Sequence, residues 1–148
     1  MKSKTLINEL LVEVFNHILS IEEDVLGARG IKLSMKEVHI LEAVRISDEP
    51  SMTNLARKLR ITTGTLTASI DRLVAKKYVE RAAEENDRRK VLIKLTPMAY
   101  EILKVHDQFH NEMIESLFEE MSIDEDETLL KSLKNIVDFF KDKYEIIE

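Results

Sequence analysis

The chain has 148 residues, a formal net charge of −6 at pH 7 and no cysteine, which excludes thiol catalysis, disulfide bonds and thiolate metal sites. Because it has only three glycines, two prolines and 5% aromatic residues, we expect helices rather than a turn-rich β sandwich. Glu9 and Glu13 interrupt the first apolar stretch, and no apolar run is long enough to span a bilayer. We therefore expect a cytoplasmic protein that does not bind membranes.

Apolar residues recur at helical spacing in four segments before residue 78. Gly27 stops the first segment, and Ser34 with Glu37 forms a capping box that opens the second. Pro50 separates the second segment from the third. The predicted helices run from Leu6 to Leu26, from Ser34 to Val44, from Ser51 to Leu59 and from Thr62 to Lys77.

A β hairpin is predicted after the fourth helix. The short strand-like runs Tyr78–Ala82 and Val91–Leu95 flank a polar tip at residues 84–90. A helix-turn-helix followed by such a hairpin is a winged helix. The predicted fold class is therefore mainly α with a small β hairpin (α+β), a winged helix-turn-helix.

Two further helices are predicted at the carboxyl end. Thr96 followed by Pro97 is a strong helix start, and this helix should extend to about Met121. Ser122 with Glu125 is a second capping box, which opens the last helix.

The first and last helices have wide apolar faces that a monomer of this size has few elements to cover. A symmetric homodimer solves this problem, because each chain buries the terminal helices of the other. We therefore divide the chain into an N-terminal dimerisation helix (1–33), a DNA-binding winged helix-turn-helix (34–96) and C-terminal dimerisation helices (97–148).

Charge is distributed unevenly along the chain. Residues 52–96 contain eleven Lys or Arg and five Asp or Glu and carry +6, whereas the remainder carries −12. Attraction to phosphate is screened over roughly 8 Å at physiological salt, so the local charge decides binding. A basic middle between acidic ends indicates a nucleic-acid surface on an otherwise repelling body.

The segment from residue 62 to residue 77 is the predicted reading helix of the motif. Such a helix enters the major groove with its N-terminal residues nearest the base edges, where small side chains allow close approach. Arg72 is the best candidate on this helix for a base or phosphate contact. The alternative is that Thr62 only caps the helix and the rest are solvated. The candidate groove-reading side chains are Thr62, Thr63, Thr65, Thr67, Ala68 and Ser69.

The hairpin tip is the second candidate DNA contact. Arg88, Arg89 and Lys90 on a protruding turn are suited to a narrow minor groove, which attracts cations strongly. Asp87 is expected to hold one of the arginines by a bidentate pair. The alternative is a charged surface turn. A different class of function, a protein-interaction module that has lost DNA binding, is disfavoured by the basic middle.

Helix order and motifs make the whole chain resemble the MarR family of dimeric winged-helix repressors. The resemblance rests on Leu55-Ala56…Leu59 and on Asp87-Arg88-Arg89…Leu95-Thr96. It implies a homodimer on a pseudo-palindromic operator of double-stranded DNA, without enzymatic activity or a required cofactor. A closer likeness is to FabT-type repressors of fatty-acid biosynthesis, which respond to acyl chains on acyl carrier protein. The stretches that carry this likeness are 15–16, 21–23, 34–39, 63–67, 106, 109–110 and 113.

The resemblance also implies an effector pocket between the dimerisation helices and the reading head. Flexible apolar side chains adapt well to an acyl chain, although such a stripe is more often plain core. The candidate lining residues are Phe15, Ile18, Leu41, Phe109 and Met113.

Histidines offer a second effector class. His106 and His110 are four residues apart on one helix face, a spacing that can bind one metal ion. Zinc-responsive members of the same family resemble this chain in placing a histidine near His39 and an acid near Glu22 or Glu23, and four such ligands suit tetrahedral zinc. The alternative is a buried polar network or a proton-sensitive hinge without metal.

Overall fold

A computed structural model describes residues 2–119 and 127–144 of the chain. These residues form six helices and one antiparallel hairpin, which confirms the predicted fold class. No helix in the described ranges is both long and apolar enough to cross a membrane. The elements are α1 (Lys2–Ala28), α2 (Met35–Ile46), α3 (Met52–Leu59), α4 (Thr63–Ala75), β1 (Val79–Ala83), β2 (Val91–Leu95), α5 (Pro97–Glu115) and α6 (Glu127–Tyr144).

Side-chain caps open the helices of the helix-turn-helix region. The capping box of α2 is confirmed, since the Ser34 hydroxyl accepts from the Glu37 amide (3.2 Å) and the Glu37 carboxylate accepts from the Ser34 amide (2.9 Å). Ser51 and Thr62 likewise accept the amide three residues ahead, at the starts of α3 and α4. Each cap satisfies a backbone donor that has no partner within its helix.

α5 starts where the sequence predicts it, at Pro97 after the N-cap residue Thr96. The Thr96 side chain, however, does not cap the helix. Its hydroxyl donates instead to the carbonyls of Lys77 (2.7 Å) and Tyr78 (3.1 Å). Thr96 therefore ties the start of α5 to the connection between α4 and the wing.

The end of α5 differs from the prediction. The helix ends at Glu115 and continues as a turn at residues 116–118, whereas the sequence predicts a helix to about Met121. The Ser116 amide still bonds to the carbonyl of Glu112 (3.1 Å), so the turn closes the helix. The predicted capping box at residues 122 and 125 lies outside the described residues.

The wing is the two-stranded antiparallel hairpin β1–β2, in which Val79 pairs with Leu95. Strand β2 has its predicted bounds, and β1 begins one residue later than predicted. The Ile93 amide donates to the carbonyl of Pro50 (2.9 Å). The wing is therefore hydrogen-bonded to the segment that precedes α3.

One hydrophobic core contains residues from each of the helices α1 to α5 and from both strands. The core extends across the predicted boundaries at residues 33/34 and 96/97, because residues of α1 and α5 belong to it. We call residues 31–95 the reading head, since most of the core lies there. The almost fully buried side chains of the whole core include Leu26, Leu41, Leu55, Leu66, Ile70, Leu73, Val79, Ile93 and Leu103.

The terminal helices leave apolar surface exposed, and we call residues 2–20 and α6 the arms. Phe15 on α1 is 61% exposed, and Leu133 on α6 is 47% exposed. No residue described in α6 is buried. A single chain therefore does not cover the arms.

Candidate nucleic-acid interface

A tight turn sets the direction of the reading helix α4. Arg60, which follows α3, has a left-handed backbone with φ of 55°, a conformation that is uncommon for residues other than glycine. The Ile61 amide bonds back to the carbonyl of Ala56 (3.0 Å), which closes the turn. α4 then begins at Thr63, directly after its cap. The Arg60 side chain is exposed beside this turn and was not predicted as a DNA contact.

The first turn of α4 presents exposed threonines. The Thr62 hydroxyl accepts from the Thr65 amide (3.1 Å) and donates to the Thr65 hydroxyl (2.9 Å), so the capping role of Thr62 is confirmed. The Thr67 hydroxyl donates to the carbonyl of Thr63 (2.8 Å). These three threonines and their neighbours Thr63 and Ala68 remain exposed. Their hydroxyl oxygens and methyl groups are therefore accessible from the solvent side of the helix.

The structure disfavours one predicted DNA contact on the second half of α4 and gives another a partner within the protein. Ser69 is buried (8% exposed) and its hydroxyl accepts from Arg72 (3.0 Å), so it does not face a groove. The Arg72 guanidinium also lies 3.6 Å from the carboxylate of Glu37 on α2. Arg72 is more than half exposed, so its contact with DNA stays a prediction.

The wing tip is a closed turn with two exposed arginines. Asp87 accepts from the backbone amide of Arg89 (3.0 Å), and this bond replaces the predicted pair with a guanidinium. The Lys90 amide bonds to the carbonyl of Asp87 (3.0 Å), which tightens the turn. Arg88 and Arg89 are exposed, and neither has an ion-pair partner within residues 2–119 and 127–144.

Lys90 differs from the two arginines. Its ammonium group is paired with Glu49, in the segment before α3, and lies 3.6 Å from Glu84 on the wing. Two carboxylates therefore compete with phosphate for this cation. The prediction that Lys90 contacts DNA is weakened by this geometry.

An ion pair that the sequence did not indicate joins the wing to the reading helix. Arg81 on β1 donates to Asp71 on α4 at 2.5 Å. No local spacing pattern connects these two residues, because they lie on different elements. The pair is a direct contact between the two candidate DNA-contacting elements, at an exposed position.

The histidines predicted as metal ligands converge on one buried acid. Glu22 on α1 is 3% exposed. Its Oε1 lies 3.1 Å from His106 Nε2 and 2.5 Å from His110 Nε2 on α5. Its Oε2 lies 3.9 Å from His39 Nε2 on α2. Glu23 is exposed, so Glu22 is the acid of this cluster.

The electrostatics of this cluster favour a neutral central imidazole. Burial and the neighbouring His110 lower the pKa of His106, against the opposing attraction of Glu22. The Nε2 atoms of His106 and His110 are only 3.1 Å apart. A neutral imidazole keeps a lone pair for a metal ion. Glu22, His39 and His106 place one ligand atom each within 4.8 Å of one another, which suits a shared metal ion. His110 contacts Glu22 and His106 but is not part of this three-residue group.

A bidentate ion pair joins α2 to α5 next to the cluster. The guanidinium of Arg45 donates to both carboxylate oxygens of Asp107, each at 2.7 Å. This hydrogen bonding lowers the pKa of Asp107 and raises the pKa of Arg45. Glu42, one turn before Arg45, lies 2.5 Å from the same guanidinium. The reading head is therefore tied to α5 by a charge-assisted contact.

Comparisons with known proteins decide the family. A model of the MarR family matches residues 30–90, from the connection before α2 to the wing tip. The multiple antibiotic resistance protein MarR of Salmonella typhimurium is 30% identical over 108 residues, which are 72% of this chain and 75% of that protein. The chain belongs to the MarR family.

Solved structures related to this MarR-family chain include DNA complexes. The crystal structure of Streptococcus pneumoniae FabT in complex with DNA has a TM-score of 0.83 and 34% identity, and covers 94% of this chain and 98% of that one. A mutant of E. coli MarR complexed with operator DNA has a TM-score of 0.59 and 27% identity, and covers 88% and 97%.

As a member of the MarR family, the chain is a DNA-binding transcriptional regulator and not an enzyme. Family membership therefore disfavours the alternative of an interaction module without DNA binding. The individual base and phosphate contacts stay predictions. Ser69 of the predicted set is buried, whereas the first turn of α4, Arg88 and Arg89 are exposed.

The MarR-family chain has an apolar cleft between α1 and α5, of about 280 Å³. Three predicted effector residues line it, namely Ile18, Phe109 and Met113. Two others do not belong to it. Leu41 is fully buried in the core, and Phe15 is 61% exposed on a different face of α1.

Proposed function

We propose that this MarR-family protein acts in the cytoplasm as a homodimeric repressor on a pseudo-palindromic operator. The exposed apolar arms support a homodimer, because a second copy supplies the matching surface for each arm. A twofold-symmetric dimer places two reading helices on half-sites about 34 Å apart, or a multiple of that distance.

In this dimer, each copy inserts α4 into a major groove and Arg88 or Arg89 into the flanking minor groove. The proposal depends mainly on the two arginines of the wing tip, which are exposed and have no ion pair in the described part of the chain. They lie on the same head as the accessible first turn of α4. The likeness to FabT in complex with DNA supports the same orientation.

A selection from genomic duplex fragments identifies the operator, and titrations at several salt concentrations then test the wing. Arg89→Ala should weaken binding and reduce the slope of log affinity against log salt by about 0.9 for each phosphate that is no longer neutralised. Lys104→Ala on α5 removes the same charge from an exposed, paired lysine and is the matched control. An Arg89→Ala slope equal to that of the control would refute the wing assignment.

We further propose that the regulated genes belong to fatty-acid biosynthesis and that the effector is an acyl chain carried by acyl carrier protein. Two observations support this proposal: the 34% identity to FabT over nearly the whole chain, and the apolar cleft between α1 and α5. Methionine and phenylalanine in such a cleft adapt to a flexible chain.

A gel-shift titration with acylated and with unacylated carrier protein tests the effector. Only the acylated form should change operator affinity, and Met113→Glu should abolish the change because it places a charge in the cleft. Met98→Glu, an exposed position at the start of α5, is the control. If neither form of the carrier protein changes operator affinity, the lipid proposal is wrong.

A zinc-responsive regulator is a second candidate, favoured by the cluster of Glu22, His39, His106 and His110. In this case zinc, rather than an acyl chain, changes operator affinity. Zinc and a chelator are added in turn to the same gel-shift assay. His106→Ala should remove any zinc effect, whereas His17→Ala, a histidine outside the cluster, should retain it. An operator affinity that zinc leaves unchanged would exclude this candidate.

A further inference from the structure

A buried carboxylate of the reading head contacts two cations of the reading helix. Glu37, in the first turn of α2, is 5% exposed. Lys76 Nζ lies 3.2 Å from both of its carboxylate oxygens, and Arg72 Nε lies 3.6 Å from one of them. Lys76 also donates to the carbonyl of Lys32 (3.1 Å), in the connection between α1 and α2. The same carboxylate accepts from the Ser34 amide, so its position is fixed from two sides.

These contacts pack α4 against α2, and they also pair two cations that a DNA phosphate could otherwise bind. Arg72 lies within α4, and Lys76 follows the helix as its C-cap. One cation lies on the helix proposed to enter a groove and the other directly follows it. Each is partly exposed, so a phosphate that reached them would compete with Glu37. Arg88 and Arg89 on the wing have no such competitor in the described residues.

We propose that Glu37 is a positioning residue that withholds Arg72 and Lys76 from DNA phosphates and thereby limits sequence-independent binding. The inference rests on the proposed DNA-binding mode and adds a residue that limits the electrostatic attraction between the protein and DNA phosphates. Non-specific affinity depends on the number of phosphates that cations neutralise. A fixed internal carboxylate lowers that number without removing the cations, which remain available to hold α4 against α2.

The test uses Glu37→Gln in the full chain, with a random-sequence duplex as the probe. Glutamine keeps the shape and the acceptor for the Ser34 amide but removes the charge. The salt slope should become steeper by about 0.9 for each cation released, which is roughly tenfold in affinity for each at 0.1 M salt. Glu101→Gln, an exposed acid paired with Lys104 on α5, makes the same change in net charge away from the head.

The proposal is supported if Glu37→Gln raises the affinity for the random duplex and steepens the salt slope, while Glu101→Gln does neither. The increase should disappear when Arg72→Gln and Lys76→Gln are added to Glu37→Gln. Structural damage to the head predicts weaker binding, which is the opposite sign. An unchanged salt slope, or an equal increase in affinity in both variants, would overturn this inference but not the proposed DNA-binding mode. Failure of the wild type to bind any duplex would overturn the proposed DNA-binding mode as well.

A second comparison applies if Glu37→Gln does not fold. In the wild-type background, Arg89→Gln should reduce the slope by about 0.9, and Arg72→Gln should reduce it by much less, because Arg72 is already paired. An equal reduction by the two variants would show that Arg72 contacts phosphate freely and would overturn the inference.

Discussion

The reading head and the arms bury their apolar side chains to very different extents. Leu41, Leu55 and Ile70 in the head are inaccessible to solvent, whereas Leu10 on α1 is 50% exposed and Leu133 on α6 is 47% exposed. Both regions have apolar residues at helical spacing. A single chain therefore buries the apolar face of the head and leaves the apolar faces of the arms exposed, which is the basis for the proposed dimer.

The largest expected effect concerns the head. Leu55→Ala should lower the free energy of unfolding by about 3 kcal/mol, because it removes a fully buried side chain and leaves a cavity. Urea-induced unfolding measures the loss. Met98→Ala, at a half-exposed position on α5, should change the value by less than about 0.5 kcal/mol. Similar losses in the two variants would mean that the core does not have the packing described above.

A charge in the arms should act on association and on DNA affinity rather than on the fold of the head. Leu10→Asp combined with Leu133→Asp should dissociate the dimer and reduce operator affinity about a hundredfold or more, because the two half-sites no longer act together. Sedimentation and gel-shift titration measure the two effects. A double variant that remains dimeric would show that other surfaces hold the copies together.

The smallest expected effect concerns the junction between the two regions. Asp107→Asn should cost about 1 kcal/mol at neutral pH, since it breaks the bidentate pair with Arg45 at a partly exposed site. The pair lowers the pKa of Asp107 in the folded chain. Its contribution is therefore present above the pKa of the unfolded state and is lost as pH falls through the folded value. Unfolding curves of wild type and variant should converge in acid, and a constant difference would contradict the assignment.

Local patterns predicted the elements of the head well. Ser34 and Glu37 form the predicted capping box, and the bounds of β2 agree with its sequence pattern. These features depend on residues close together in the chain, so a short stretch of sequence contains their physical cause. The exposed faces of the first and last helices were predicted for the same reason, because helical periodicity alone defines an apolar face.

Contacts between distant residues account for the errors. The Thr96 hydroxyl turns toward carbonyls at the end of α4, and Lys90 pairs with Glu49, 41 positions earlier. Such contacts depend on how elements pack, which propensity and spacing do not determine. Ser69 is a different case, because it lies on the buried face of α4 with Leu66 and Leu73, and helical spacing could have excluded it as a groove contact.

The choice between Glu22 and Glu23 in the histidine cluster is of the same kind. The two acids are adjacent on α1, and the sequence offered both as partners of His106. Only the packing of α1 against α5 buries Glu22 and leaves Glu23 exposed. The three histidines and the pair of candidate acids were predicted, but the choice between the acids and the convergence on one carboxylate were not.

The mass of the complex with a selected operator duplex tests the central claim most directly. This claim is that each head folds within one chain, whereas the apolar faces of the arms are buried only when two chains associate. We expect two chains for each duplex, and a marked loss of affinity when the duplex contains only one half-site. One chain on each duplex, with undiminished affinity for a single half-site, would contradict the account.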